Sequence, residues 1–403
     1  MISYSQHLLL KYLQDHFRGI TPPECQNTPI MDELFLTASA QSLDGIIFYQ
    51  CRNALSQDIR RKYAKRYLSH VIFSFSRKET LEQLTQLAEE ENIPLVFMKG
   101  SVFRNYYPVP ALRSMGDIDI IIRKEDKDKM NHLLMNQMGF NRFIDNHSVW
   151  TYFKGKFYIE VHTHMFYENL ANDVDYIEYF DHLFEHIKHG KVFDLESDSI
   201  YIPEENYHFL YLMTHTAKHI INSGSGFRAY MDMVLMTQKC DIDWEWIKQE
   251  LIKLKLLDFT ETCFALCERW FDVKMPLEHK ELDPSFFEEI TEKTFHDGVF
   301  GLANKANEGA HTAKEIKRKD RGYWLTSIHL SLQMLFPSYQ DMILPDWYSF
   351  LRGRPWLLPV GWVYRWGYCI VYKSKASLNR LTEPFRIKKK IKKREDYIST
   401  WGL

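Results

Sequence analysis

The sequence lacks a surplus of charge of either sign and lacks a long apolar run. Its 403 residues include 51 Lys and Arg against 53 Asp and Glu, and the net charge of −2 gives no general attraction to nucleic acid or to an anionic membrane. The most apolar window, residues 356–372, is interrupted by Arg365 and is shorter than the roughly 20 apolar residues of a membrane span. The N-terminal apolar stretch is broken by charges and follows no basic segment, unlike a signal peptide. We therefore expect a cytoplasmic protein with no transmembrane segment, and nucleic acid is not the expected partner.

Cysteine is scarce, with six residues in the chain and no C-x-x-C pair. This absence disfavours a zinc ribbon or a thioredoxin-like redox motif. Cys263 and Cys267 have the i, i+4 spacing of a helix, which is poor geometry for a shared metal without two further ligands. We predict that both are reduced thiols in the core.

The length is sufficient for two domains and a large core, and the hydrophobic pattern divides the chain into regions. The predicted regions are helices at 1–92, mixed strands and helices at 93–168, helices at 169–380 and a basic tail at 381–403. Residues 304–322 are polar and are the best candidate for a mobile loop. The expected fold class is α+β.

Region 93–168 alternates between strand and helix patterns. Gly139 is a stop signal for a polar helix, and Gly155 lies between two β patterns and predicts a tight hairpin. The predicted strands are 95–99, 117–122, 149–153 and 157–163, and the predicted helices are 102–107 and 124–138. We expect a mixed sheet with helices on one face.

Two acidic residues occupy alternate positions of one predicted strand. Because side chains alternate between the faces of a strand, Asp117 and Asp119 share one face while Ile118 and Ile120 enter the core. Glu160 lies among apolar neighbours in another predicted strand. Three carboxylates on one sheet repel one another unless cations lie between them. This is the arrangement that Mg²⁺ chemistry on nucleoside triphosphates requires.

The turn at Gly100 and Ser101 is a second candidate element of a site. Glycine lets the backbone approach a phosphate closely, and the Ser101 hydroxyl can add a hydrogen-bond donor. Lys99 and Arg113 are candidates for cationic clamps on a triphosphate, although a surface ion pair is an open alternative for each.

Several motifs together carry a resemblance to a known family. They are Met98-Lys99-Gly100-Ser101, Tyr107-Pro108-x-Pro110-x-x-Arg113, Asp117-Ile118-Asp119, Glu160-x-His162, His215-x-x-Lys218-His219, Arg228-x-x-x-Asp232 and Pro355-Trp356-Leu357-Leu358-Pro359. In this combination the chain resembles the bacterial group of uncharacterised nucleotidyltransferase family proteins, within the superfamily built on the DNA polymerase beta palm. The resemblance implies a nucleotidyltransferase palm at 93–168 and a helical acceptor domain at 169–380. It also implies an NTP substrate, with ATP favoured, and two Mg²⁺ ions, with Mn²⁺ as an alternative.

On this resemblance the three carboxylates would be catalytic metal ligands. Asp117 and Asp119 would bridge both ions, and Glu160 would complete the site of the catalytic ion and help to deprotonate the acceptor. His162 shares the face of Glu160, and it could be a partner of the ligands, an acceptor base or a structural histidine.

The helical region supplies candidates for binding the acceptor. His208, His215 and His219 fall on one face of a predicted helix. No further zinc ligand is evident beside them, so they either line a cleft that faces the palm or pack in the core. Arg228 and Asp232 are spaced i, i+4, which fits an intrahelical ion pair or an acceptor-orienting role for Asp232.

Three functions stay open at this stage. The leading one is metal-dependent transfer of a nucleoside monophosphate to a small molecule or a protein side chain. The second is a non-catalytic nucleotide-binding protein that keeps the palm. The third is an RNA-directed nucleotidyltransferase, which draws only on the basic run at 386–394, and that run is equally well a solvated tail. The sequence leaves the acceptor and the oligomeric state open.

Overall fold

A computed structural model gives the fold of most of the chain. The described residues are 2–22, 28–143, 149–170, 172–279, 281–298, 328–329, 331–333, 335–343, 346–368 and 397–403. The polar segment at 304–322 and the basic run at 386–394 lie outside the described residues, so the predictions made for them stay predictions.

The N-terminal region is helical, as predicted. Its described helices are α1 (Tyr4–Arg18), α2 (Thr28–Ala40), α3 (Asp44–Cys51) and α4 (Gln57–Glu90). Helix α1 begins with a capping box, in which the Ser3 hydroxyl accepts from the Gln6 N–H and the Gln6 side chain accepts from the Ser3 N–H. Ile59 near the start of α4 packs in the largest hydrophobic core of the described chain, while Leu81 and Leu84 pack in a second core. The long α4 therefore connects the helical layer to the sheet.

The strands of the described chain form one seven-stranded sheet. They are β1 (Leu95–Phe97), β2 (Ile118–Ile121), β3 (Asn141–Arg142), β4 (Val149–Lys154), β5 (Phe157–His162), β6 (Ile187–His189) and β7 (Ile200–Pro203). The order across the sheet is β3-β4-β5-β2-β1-β7-β6. The β1–β7 and β2–β5 pairs are parallel, and the other neighbours are antiparallel. The predicted α+β class and mixed sheet are confirmed.

Helices lie in the intervals between strands and in most of the described chain that follows the sheet. They are α5 (Gly100–Phe103), α6 (Lys127–His132), α7 (Tyr176–Tyr179), α8 (Glu205–Asn222), α9 (Phe227–Lys239), α10 (Trp244–Lys253), α11 (Leu257–Phe271) and α12 (Pro284–Asp297). Shorter segments include a π turn at Leu133–Gln137, 3₁₀ turns at Arg104–Tyr106, Pro110–Leu112, Asp346–Leu351 and Pro355–Leu357, and a helix over 358–368. Among the described helices, none combines the length and apolar character needed to cross a membrane.

The two faces of the sheet have different chemical characters. One face carries Phe97, Ile118 and Ile120, which are fully buried against α4 and α6. Each such side chain contributes about 1.5–3 kcal/mol through removal of its apolar surface from water. The opposite face carries Asp119 and Glu160. The alternation predicted for the Asp119 strand is therefore present, and it separates an apolar layer from a polar one.

Three strands in the sheet were not predicted, namely β3, β6 and β7. β3 has two residues, both exposed, so it offers no alternating pattern. The chain was expected to be helical beyond residue 168, yet β6 and β7 add to the sheet beside β1. β6 has three residues, two of them exposed, so it has no alternating pattern that sequence can reveal. β7 is stabilised by parallel pairing with β1, which is a long-range contact. Where the domains divide stays a prediction.

The described cysteines are free thiols, namely Cys51, Cys240, Cys263 and Cys267. Cys263 and Cys267 are fully buried on α11, as predicted. Burial raises the pKa of both thiols, so neither is a reactive thiolate at neutral pH.

Candidate active site

Asp119 and Glu160 face each other at the centre of the sheet. The register of parallel strands β2 and β5 places Asp119 opposite Glu160 and Ile121 opposite His162. Because side chains two residues apart share a face, the His162 ring lies on the same side as the two carboxylates. Ligand atoms of Asp119, Glu160 and His162 lie within 4.8 Å of one another, which is close enough for one cation to contact all three.

Two basic side chains contact the carboxylate of Asp119. Lys99 Nζ is 2.6 Å from Oδ1, and His162 Nε2 is 3.2 Å from the same oxygen and 3.6 Å from Glu160 Oε2. Burial opposes ionisation of Asp119, but Lys99 and His162 hold its pKa well below the ordinary value. Burial also opposes protonation of His162, but its hydrogen bonds with Asp119 and Glu160 raise its pKa. Asp119 is therefore an ionised carboxylate inside a small network of charges.

Asp117 lies just before β2 and is half-buried. Burial and the neighbouring charge of Asp119 raise its pKa, Lys99 lowers it, and Glu160 adds further repulsion. Asp117 is thus electrostatically coupled to the other two predicted ligands, although it is not part of the group within 4.8 Å. The hard oxygen donors and their mutual repulsion fit a divalent cation.

Lys99 has an unusual backbone conformation, with φ 50° and ψ −123°. L-residues rarely adopt this region, and such conformations cost about 1–3 kcal/mol unless the surroundings enforce them. Here the ion pair with Asp119 and a contact with the Tyr211 hydroxyl of α8 hold the side chain. The residue predicted as a triphosphate clamp therefore lies against the central carboxylate.

The Gly100–Ser101 turn packs tightly against the segment that precedes β2. A Cβ at position 100 would collide with the guanidinium of Arg113 and would lie 3.0 Å from the side chain of Met115, so a larger residue here would require these side chains to move. Ser101 is fully buried, and its Oγ has no hydrogen-bond partner among the described residues. Such an unpaired hydroxyl costs about 1–3 kcal/mol. This hydroxyl is available to donate a hydrogen bond to a ligand oxygen such as that of a phosphate.

Asp232 of α9 binds Arg113 in a bidentate ion pair. Arg113 Nη2 is 2.5 Å from Oδ2 and Nε is 3.2 Å from Oδ1, and the Tyr107 hydroxyl donates to Oδ1 at 2.8 Å. The Arg113 and Asp232 side chains are 8% and 4% exposed. Arg228 donates to the backbone oxygen and Oγ of Ser114 at 2.9 and 3.1 Å. Arg113, Arg228 and Asp232 thus join α9 to the loop before β2, and two of them were predicted as acceptor-side residues.

One face of α8 lies next to the carboxylates. Tyr211, His215 and His219 occupy this face, and Lys99 and Asp119 influence the ionisation of all three. The Nε2 atoms of His215 and His219 are 2.9 Å apart. Burial, aided by the charge of Lys99, lowers the pKa of His215 and brings that of His219 to about 4. Both rings are therefore neutral at pH 7 and can exchange hydrogen bonds with a hydroxyl group.

Sequence reasoning missed Tyr211 and Tyr167. Tyr211 precedes His215 by four residues, about one helical turn, and therefore lies on the same face of α8. This spacing was the signal that could have identified it. Tyr167 stacks near the His162 ring with 5.9 Å between centroids, and its hydroxyl accepts from the N–H of Thr163 at 2.9 Å. Tyr167 lies in an irregular segment after β5, where no periodic pattern could have indicated it.

We expect that His208→Phe will make the protein less sensitive to acid. His208 is 1% exposed and stacks on Phe103 with 4.5 Å between centroids. Burial lowers its pKa from 6.5 to about 3, so between these values the unfolded chain binds a proton here and the folded chain does not. This group therefore removes about 2 kcal/mol of stability between pH 7 and pH 5. Urea unfolding at both pH values measures the difference.

The matched control is His182→Phe, because the His182 side chain is 64% exposed. This control measures what the replacement of an exposed histidine does to the pH dependence of the unfolding free energy, and the effect of His208→Phe should exceed it. If the pH dependence of His208→Phe equals that of the wild-type protein, His208 binds its proton over the same pH range in the folded and unfolded chains, and the expected lowering of its pKa is wrong.

A family model described as uncharacterised nucleotidyltransferase matches residues 31–272. The matched segment begins within α2 and includes helices α3 to α11 and all seven described strands. It therefore covers every candidate residue of the site. No curated protein and no solved structure showed a significant match to the chain.

Proposed function

The chain belongs to the uncharacterised nucleotidyltransferase family and is a nucleotidyltransferase, and from this premise we propose that it transfers a nucleoside monophosphate from an NTP to an acceptor and releases pyrophosphate. The observation that carries the proposal is the direct opposition of Asp119 and Glu160 on adjacent parallel strands, with Asp117 beside them. This set resembles the carboxylates of a palm of the DNA polymerase beta type, and we propose that the fold belongs to that superfamily.

We propose that Asp117, Asp119 and Glu160 hold Mg²⁺, with Mn²⁺ as an alternative. When bound, the metal supplies positive charge at the phosphoryl oxygens of an in-line displacement. The fit is supported by the oxygen donors and by the raised pKa of Asp117, which reflects burial and repulsion from the other carboxylates. His162 holds Asp119 and Glu160 together through Nε2. We assign it a positioning role next to the ligands.

The other residues of the site bind the substrates in this proposal. The unpaired Ser101 hydroxyl donates to the triphosphate, and the Lys99 ammonium stabilises its negative charge. The neutral rings of His215 and His219 orient a hydroxyl of the acceptor, since they lie beside the same carboxylates. We propose ATP as the preferred nucleotide, a small molecule or a protein side chain as the acceptor, and the cytoplasm as the location.

A thermal unfolding panel of the four NTPs, with Mg²⁺ and with EDTA, tests this proposal. A ligand at 100 times its Kd adds about 2.7 kcal/mol to the stability of the folded state. We therefore expect at least one NTP to raise the melting temperature more in Mg²⁺ than in EDTA. The corresponding nucleoside, which lacks phosphates, should have no comparable effect in Mg²⁺. A panel in which Mg²⁺ does not change the effect of any NTP would overturn the metal assignment.

A further inference from the structure

A second cluster of positive charge lies near the Gly100–Ser101 turn. A cavity of about 190 Å³ is lined by Arg77 of α4, Arg104 of the 3₁₀ turn after α5 and Arg113. Arg113 connects the two places, because its guanidinium also contacts Gly100. The cavity is therefore a neighbour of the candidate active site without containing its carboxylates.

Arg77 and Arg104 are buried, and their hydrogen-bond acceptors among the described residues are neutral. Arg77 is 3% exposed and donates to the backbone oxygens of Met115 and Gly116 at 2.9 and 2.8 Å. Arg104 is 5% exposed and donates to Ser74 Oγ at 2.6 Å. The Nε of each is buried without a hydrogen-bond partner, and within the described part of the chain neither guanidinium is paired with a carboxylate.

The electrostatic balance around this cavity is positive. Burial lowers the pKa of Arg77 and of Arg104 to about 10, and the guanidinium groups also repel one another. The acidic groups that act on them are Asp117 on Arg77 and the exposed Asp194 on Arg104. Of the three arginines, Arg113 is the one bound to a buried carboxylate. Buried guanidinium groups without a counter-ion are costly, and an anion in the cavity would relieve that cost.

The shape and chemistry of the cavity select the class of anion. Its volume lies below the 300–1,000 Å³ of sites for drug-sized ligands, so it does not hold a whole nucleotide. Guanidinium groups bind phosphate oxygens in bidentate geometry, and convergent arginines favour a multiply charged oxyanion. We propose that the cavity binds a phosphate-class oxyanion, with inorganic pyrophosphate as the best match, and that this binding needs no metal ion.

The origin of the anion rests on the proposed function. It is either the terminal phosphates of a bound NTP or free pyrophosphate released by transfer. In both cases the bound anion would lie next to Arg113, close to the turn at Gly100.

Calorimetric titration of the full chain with inorganic pyrophosphate in EDTA tests the site. We expect saturable binding by the wild-type protein, and at least about tenfold weaker binding by Arg77→Met and by Arg104→Met, since each loses a charged donor but keeps its apolar stem. Arg104→Lys keeps the positive charge but loses the bidentate geometry of the guanidinium, so its affinity for pyrophosphate should lie between those of the wild-type protein and Arg104→Met. The matched control is Arg269→Met. The Arg104 guanidinium lies 3.7 Å over the ring of Phe193, and the Arg269 guanidinium lies 3.7 Å over the ring of Phe287 but outside the cavity.

The melting temperature of each variant without anion is measured first, so that a folding defect is not counted as lost binding. Asp119→Asn should still bind pyrophosphate in EDTA, which makes this test independent of the proposed catalysis. Weaker NTP binding by Arg104→Met would identify the anion as the NTP terminus, and unchanged NTP binding would identify it as free pyrophosphate. The proposal would be overturned if the wild-type protein does not bind pyrophosphate, or if both methionine variants fold and bind it with the wild-type affinity.

Discussion

Asp119→Asn is expected to reduce pyrophosphate release from an NTP by about 10²-fold or more, as estimated from the loss of a single electrostatic stabiliser in other active sites. Asp119 is buried on β2, opposite Glu160, and its carboxylate contacts both Lys99 and His162. The amide keeps the shape of the side chain but removes the negative charge that would bind a cation. Initial rates at saturating NTP and Mg²⁺ measure the effect.

The matched control for this change is Asp126→Asn. Asp126 is 9% exposed in the 3₁₀ turn before α6, and it is not part of the group of ligand atoms around Asp119. The control should keep wild-type turnover, which excludes a general effect of neutralising a buried aspartate near the sheet. Asp119→Asn with turnover within about twofold of wild type would contradict the metal assignment.

Two comparisons rank the other ligands. Glu160→Gln should raise the Mg²⁺ concentration needed for half-maximal rate, because hard cations prefer carboxylate oxygens. His162→Ala should have a smaller effect on that concentration, because the ring positions Asp119 and Glu160 rather than supplying charge to the metal. The opposite ranking would make His162 a direct ligand.

The largest loss of stability is expected from Asp232→Ala. The Arg113–Asp232 pair is buried and bidentate, and Tyr107 adds a third hydrogen bond. Removal of one partner leaves an uncompensated buried guanidinium, so the free energy of unfolding should fall by about 3–5 kcal/mol. Tyr107→Phe removes one charge-assisted hydrogen bond and should cost about 1.5–3 kcal/mol. Urea unfolding curves give both values.

A double-variant cycle separates the pair from other causes of instability. Arg113→Met combined with Asp232→Leu removes both charges, and it should be less destabilised than the sum of its single variants. The same experiment decides between two roles of Asp232. If Asp232→Ala unfolds like the wild-type protein but loses transfer to the acceptor, Asp232 is an acceptor-binding residue and its ion pair with Arg113 contributes little to stability.

Features with a local sequence pattern were predictable. Gly155 adopts φ +62° in the turn between β4 and β5, and Gly139 adopts φ +70° after the π turn that extends α6. Asp119 and Glu160 were also predictable as neighbours on a sheet, because each lies in a strand with alternating apolar residues. The pattern could not show that the two strands are parallel or that the residues are in register.

Features that depend on distant residues were not predictable. Arg113 and Asp232 are 119 residues apart, and neither position has a local pattern that indicates the other. The spacing of Arg228 and Asp232 fits an intrahelical ion pair. In the structure Asp232 instead binds Arg113, and Arg228 donates a hydrogen bond to Ser114. Lys99 was predicted to clamp a triphosphate, and its pairing with Asp119 depends on the backbone conformation of a single residue.

The long-range pairing of β1 with β7 sets an order of events during synthesis of the chain. One edge of β1 has its partner only after residue 203 has left the ribosome, since Leu95 pairs with Ile200 and Val96 with Tyr201. Arg113 can form its ion pair with Asp232 only after α9 has been synthesised. Until then the nascent chain exposes an unpaired strand edge, which is a template for aggregation. Contacts between residues so far apart in sequence also form slowly, so the site is completed late in folding.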